Sequence, residues 1–234
     1  MSIENSALPS VRNMASYRAG RPIANVAREF GLDPARIVKL ASNENSLGMS
    51  PRASAALARC AADAFRYPDS DNHELRQALV AHLGLPGEML LPCSGSSQLI
   101  LLVARAFLDG TRSAIIPQYS FMSYELAVRS VGARPIIVPQ PDCRPDLDSL
   151  LAALDPGVRV LYVATPNNPT GAMLDPAALQ DFIAAVPGDI LVVLDEAYRD
   201  YVAPADRPRI EPLLAAHRNL LVMRTFSKIH GLAG

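Results

Sequence analysis

Val158-Arg159-Val160-Leu161-Tyr162-Val163-Ala164 and Ile190-Leu191-Val192-Val193-Leu194 are nearly unbroken apolar stretches, each followed by polar and turn-forming residues. A strand with one wet face alternates apolar and polar residues. A strand covered by helices on both faces does not. These stretches therefore predict strands inside a parallel sheet, over 158–164 and 190–195. Further strands are expected at 37–40, 113–117, 134–138 and 219–224. Helical patterns fall between them, at 51–64, 72–83, 96–108, 120–131, 146–154, 175–185 and 210–217. Asp175-Pro176 places a capping carboxylate before a proline at the first helical position, and Asp146 and Asn72 read as similar caps. Strand–helix–strand repetition with short connections predicts an α/β fold with a mostly parallel, doubly wound sheet flanked by helices. Residues 1–36 are weakly patterned, with one short helix near 23–30. The division expected is an N-terminal arm over 1–45 and a large domain over 46–234.

Half of the 234 residues are hydrophobic and 19% are charged, enough apolar material for a sizeable core. The 22 basic and 23 acidic residues leave a net charge of −1, which removes the electrostatic case for a nucleic-acid or acidic-membrane partner. No apolar run approaches the roughly 18 residues of a membrane span. The first residues lack the basic and apolar regions of a signal peptide, so a cytoplasmic location is expected. Cys60, Cys93 and Cys143 are widely spaced and odd in number, and His73, His82, His217 and His230 show no ligand spacing. Neither a disulfide framework nor a metal site is expected. Only Lys39 and Lys228 are lysines, so any lysine chemistry has two candidates.

Ligands of open α/β sheets sit at the carboxyl ends of the strands. Four polar clusters fall at such positions. Gly95-Ser96-Ser97-Gln98 opens a helix, either as an anion cradle of free N–H groups or as a plain serine cap. Asn167-Asn168-Pro169-Thr170-Gly171 is either a stiffened loop presenting an amide or an ordinary turn. Asp195-Glu196-Ala197-Tyr198 ends a buried strand. Its carboxylate needs a partner: a cationic ligand nitrogen, the N–H groups of a following helix, or magnesium. The magnesium reading needs a phosphate-binding loop of the form G-x-x-x-x-G-K-[ST], which the chain lacks. Arg224-Thr225-Phe226-Ser227-Lys228 places an amine and two hydroxyls after the last strand, as a nucleophile beside anion donors or as a solvated charge.

The ordered set of Gly95-Ser96-Ser97, Tyr119, Asn167 to Gly171, Asp195 to Tyr198 and Ser227-Lys228 resembles the fold-type I pyridoxal 5′-phosphate aminotransferases. Lys39-Leu-Ala-Ser-Asn-Glu-Asn45-Ser-Leu-Gly48, Arg66-Tyr67-Pro68-Asp69 and Arg224 to Lys228 bring it closest to the histidinol-phosphate aminotransferases. The resemblance runs from about residue 20 to the last. It implies pyridoxal 5′-phosphate as cofactor, attached to Lys228, which is also the catalytic proton carrier. Asp195 would meet the ring nitrogen, Tyr198 and Asn168 the phenolic oxygen, and Tyr119 the ring face. Gly95, Ser96, Ser97, Thr225 and Ser227 would cradle the phosphate, joined by Tyr67 from the partner of a homodimer. Asn45 and Tyr17 would line the substrate side. Lys39 is expected mid-strand and His230 in a packing role.

The implied reaction moves an amino group from histidinol phosphate to 2-oxoglutarate. The substrates are thus a small-molecule amino donor and a 2-oxo acid acceptor, with no nucleic acid and no membrane. Alternatives on the same fold are an aromatic aminotransferase and a phospho-amino-acid decarboxylase. More distant ones are a nucleotide-binding ATPase and a non-catalytic fragment. The family pattern departs at Ser97-Gln98 and at Ser46, where the family usually has Asp-Glu and Pro. The family's further phosphate-binding arginine and its C-terminal domain would lie beyond Gly234. The chain therefore reads as a fragment, with weak or no turnover by itself.

Overall fold

The computed structural model describes residues 3–12, 14 and 20–234. Before the sheet region the chain forms α1 (Pro9–Arg12), α2 (Ile23–Phe30), α3 (Pro51–Cys60) and α4 (His73–Leu83). The sheet region then runs α5 (Gly95–Phe107), β1 (Ser113–Pro117), α6 (Ser123–Ser130), β2 (Arg134–Val138), α7 (Leu147–Ala152), β3 (Val158–Ala164), α8 (Pro176–Ala185), β4 (Leu191–Asp195), α9 (Ile210–Ala216) and β5 (Leu220–Met223). Among the described residues the strands form one parallel sheet in the order β2-β1-β3-β4-β5. The chain steps outward from β1 to β2, then returns to build β3, β4 and β5 on the other side. The switch point lies between β1 and β3, as in doubly wound sheets.

The two apolar runs read from the sequence are the sheet's interior. Leu161, Val163, Val192 and Leu194 point to one face, where they pack with Leu179, Phe182 and Ile183 of α8 and Ile210 and Leu213 of α9. Val160, Tyr162 and Val193 point to the other, against Ile100 and Val103 of α5 and Tyr124 and Val128 of α6. Covering both faces buries nearly every side chain of β3 and β4, which is why neither strand alternates. β2 is an edge strand, carries Pro135, and is only partly buried.

Caps set the helix starts. The Asp175 carboxylate accepts from the N–H groups of Ala177 and Ala178, and that of Asp146 from Asp148 and Ser149. Asn72 does not cap as expected. It takes a left-handed backbone (φ 51°) with no capping bond, and Asp69 accepts from the His73 N–H instead, at 2.7 Å. The expected strand at 37–40 is also absent. Val38 and Leu40 are 80% and 91% exposed, and no strand of the sheet pairs with this segment. Its apolar alternation therefore has neither a ladder nor a core to serve. Helices 51–64 and 120–131 are shorter than expected, at 51–60 and 123–130.

Candidate functional site

The carboxyl ends of β1, β3, β4 and β5 converge on a small cleft of about 40 Å³. Ser96 enters it from the first turn of α5, Phe121 and Tyr124 from the β1–α6 connection and α6, and Asn168 from the loop after β3. Asp195 and Tyr198 enter from the end of β4, and Lys228 from the loop after β5. The register explains the convergence. Ala164 pairs with Asp195 and Asp195 with Met223, so the loops leaving three neighbouring strands start at one level.

Asp195 is 6% exposed. Its two carboxylate oxygens are held separately. Oδ1 accepts from the Ala197 N–H at 2.9 Å and Oδ2 from the Tyr124 hydroxyl at 2.6 Å. Burial pushes the Asp195 carboxyl above its ordinary range. The Tyr124 hydroxyl, the Ala197 N–H and the Lys228 charge pull it back. Burial and the neighbouring Asp195 charge push the Tyr124 phenol well up, so it remains a donor. Lys228 lies with Nζ 5.5 Å from the centre of the Tyr198 ring and 3.5 Å from the Ser42 carbonyl oxygen. The other lysine, Lys39, forms an ion pair with Glu44 at 2.7 Å outside the cleft lining.

The first turn of α5 has no side-chain cap. Gly95 has a φ of 76°, a conformation that side chains disfavour, and it turns the chain into the helix. Ser94 makes no side-chain cap. Its own N–H donates to Gln98 Oε1 at 2.5 Å, so no cap side chain covers the N–H groups of the first turn. Thr225 and Ser227 are bound to each other: the Thr225 hydroxyl donates to Ser227 Oγ at 2.9 Å, and the Ser227 N–H donates to Thr225 Oγ1 at 3.1 Å.

Of the two asparagines after β3, only one is structural. Asn167 is buried and donates to the Tyr119 carbonyl and to Thr170 Oγ1, which locks the loop. Asn168 lines both the cleft and an adjoining open cavity of about 240 Å³, shared with Asn43, Tyr198 and Tyr201. Asn43 donates to the Tyr198 hydroxyl at 2.9 Å.

Several sequence-assigned residues do not line the cleft. Tyr119 is 41% exposed, and its backbone N–H and carbonyl are bound by the side chains of Gln140 and Asn167, in the loops after β2 and β3. Asn45 donates to the Ile229 carbonyl at 2.8 Å, which ties the arm to the Lys228 loop. Tyr67 is fully exposed. Tyr17 lies outside the described residues. The sequence reading missed Tyr124, which looks like one more apolar-face residue of α6; its only signal is that a buried phenol needs a hydrogen-bond partner. It also missed the pairing behind the cleft. Glu196 is buried, and its Oε2 accepts from Arg224 Nε at 2.8 Å with Arg199 Nε at 3.5 Å. Burial still pushes the Glu196 carboxyl up, against both guanidinium charges. Among the described residues no group of three or more potential ligands could hold a metal ion, and no helix is long and apolar enough to cross a membrane.

Residues 35–234 match the family model for aminotransferase class I and II. A histidinol-phosphate aminotransferase of Cupriavidus pinatubonensis is 46% identical over 224 residues, covering 96% of this chain and 60% of the relative. One from Pseudomonas aeruginosa is 44% identical over 227 residues, covering 97% of this chain and 62% of the relative. The chain thus spans about three-fifths of the length of these relatives. In structure, it superimposes on the histidinol-phosphate aminotransferase of Sinorhizobium meliloti in complex with pyridoxal-5′-phosphate. The TM-score is 0.87 at 30% identity, over 97% of this chain and 60% of that one.

Proposed function

The chain belongs to the aminotransferase class I and II family, and on that premise we propose that it is the cofactor-binding part of a pyridoxal 5′-phosphate enzyme. The reaction we assign transfers an amino group from histidinol phosphate to 2-oxoglutarate, giving imidazole acetol phosphate and glutamate. The observation that carries this reading is the pairing of a buried acid, Asp195, with an amine, Lys228, across one cleft that ends at the open first turn of α5. A pyridine ring, an aldehyde and a phosphate need an acid, an amine and an anion cradle in that relation. When bound, the cofactor supplies an aldehyde that takes up the substrate amine and a ring that draws electrons from it.

The rest is the work of the protein. Lys228 Nζ would hold the aldehyde and, when free, would carry a proton from the substrate Cα to the cofactor carbon that had borne the aldehyde. Asp195 keeps the ring nitrogen protonated. Tyr198 and Asn168 donate to the phenolic oxygen, and Phe121, which lines the cleft where Tyr119 does not, closes the ring face. Gly95, Ser96, Ser97, Thr225 and Ser227 hold the phosphate. Tyr67 completes the phosphate site of a second copy, and its full exposure in one copy supports a homodimer. Tyr17 serves the substrate side, whereas the Asn45 amide is already bound to Ile229 and Leu47 and holds the Lys228 loop. Residues 46–234 form the cofactor-binding domain and 1–45 an arm across it. Asn168 is assigned in preference to Asn167 because the Asn167 amide is already bound within its loop.

An absorption titration tests the reading. Pyridoxal 5′-phosphate added to the intact protein produces a band near the visible edge, which Lys228→Ala abolishes and Lys39→Ala leaves in place. A band that survives Lys228→Ala refutes the assignment. Turnover of aromatic amino acids in preference to histidinol phosphate would keep the cofactor site and replace the substrate.

A further inference from the structure

Two tyrosines lie stacked behind the acid of the cleft, with ring centres 4.6 Å apart and planes 9° from parallel. Both are buried, yet their hydroxyls differ. Tyr162 Oη is buried without a hydrogen-bond partner, whereas Tyr124 Oη donates to Asp195 Oδ2 at 2.6 Å. Phe121 packs edge-on against Tyr124 at 5.9 Å, so the Tyr124 ring is gripped on its face and on its edge. A ring held this way presents its hydroxyl at one place. The opposite carboxylate oxygen is pinned by the Ala197 N–H at 2.9 Å. We propose that Tyr124 is the positioning residue of the site, fixing the rotamer of Asp195 and favouring its charged form, with Tyr162 serving as the plate that aligns Tyr124. This deepens the function proposed above, in which Asp195 meets the cofactor's ring nitrogen.

The physical argument is one of balance. A carboxylate this deep is disfavoured by desolvation, and a donor fixed at 2.6 Å opposes that cost. A phenol serves better than a serine or water here because it is rigid, arrives from a separate element and stays protonated. The other titratable groups around the pair are Lys228 on the loop after β5, Tyr198 after β4 and Tyr162 on β3.

The stacked pair supplies its own control. The test is made on the intact protein without cofactor, with Asp195 followed by ¹³C NMR of labelled aspartate across a pH titration. Tyr124→Phe is expected to move the Asp195 titration to higher pH, and Tyr162→Phe to leave it where it is. With cofactor added, Tyr124→Phe weakens pyridoxal 5′-phosphate binding by about tenfold, the scale of one charge-assisted hydrogen bond, and Tyr162→Phe does not. Should Tyr124→Phe fail to fold, 3-fluorotyrosine at position 124 keeps the shape while strengthening the donor, and the Asp195 titration then falls. An unchanged titration in the Tyr124 variants, or an equal change in Tyr162→Phe, overturns the proposal. The cofactor-free measurement stands even if the wild-type protein binds no pyridoxal phosphate, which would instead refute the assigned function.

Discussion

Asp195 ends a strand whose other side chains are almost all apolar, and it titrates above its ordinary value of 3.8 because burial disfavours its charge. The sign of the consequence follows from linkage. The folded protein binds the Asp195 proton more tightly than the unfolded chain does. The penalty of burying the charge is therefore absent below pH 3.8, grows as pH rises through the folded value, and is complete above it. Glu196 acts in the same direction from its ordinary 4.5. Asp195→Asn has no proton to exchange. It is expected to raise the melting temperature of the cofactor-free protein at neutral pH, flatten part of the loss between acid and neutral pH, and weaken pyridoxal phosphate binding. Melting curves over that range, paired with a binding titration, check both halves. A functional group held in a costly state commonly trades stability for activity. Asp195 and Lys228 stood out as an acid ending a buried strand and one of only two lysines, but their expected roles came from the family resemblance of the ordered set of motifs. Tyr124 was not legible, since its role depends on a carboxylate 71 positions away.

At the scale of elements, the helices follow local chemistry closely. Asp175 fills two N–H valences at the start of α8. Asp175→Ala is expected to lower stability by about 1 kcal/mol, measured by urea denaturation with an unchanged slope. Asn72, which has the right residue type for the same task, sits in a left-handed turn while Asp69 performs it. Several residue types cap helices, and the sequence does not say which neighbour bends back. The same distinction separates β3 from residues 37–40. Both are strand-like in composition. β3 has β1 and β4 beside it and a core on each face, whereas 37–40 pairs with no strand of the sheet. Strand propensity describes a side chain's fit to a half-buried pleated surface, and the surface itself comes from elsewhere in the chain.

For the molecule as a whole, the parallel sheet places the site, and the segment 42–48 packs against the Lys228 loop. Asn45 reaches Ile229, Ser42 lies near Lys228, and Gly231 meets the backbone at Gly48. A Cβ on Gly231 would lie 2.5 Å from the Gly48 carbonyl oxygen, at a φ of 67°. Gly231→Ala is expected to cost on the order of 1–3 kcal/mol. It would also lift the segment around Gly48 from the Lys228 loop, weakening pyridoxal phosphate binding without removing any group assigned to the cofactor. Denaturation and the absorption titration read the two effects separately, and unaltered values in both refute the role given to this contact.

The sequence by itself determined the class of fold, the boundaries of most elements and the set of polar residues at strand ends, because periodicity, caps and turn chemistry act over a few neighbouring residues. Only the tertiary structure decided which of those residues share a cleft. Convergence depends on strand order and register, on a sheet that reverses its direction of growth between β1 and β3, and on side chains such as Tyr124 and Asn43 whose partners lie far along the chain. Those are long-range packing outcomes, and no local pattern encodes them.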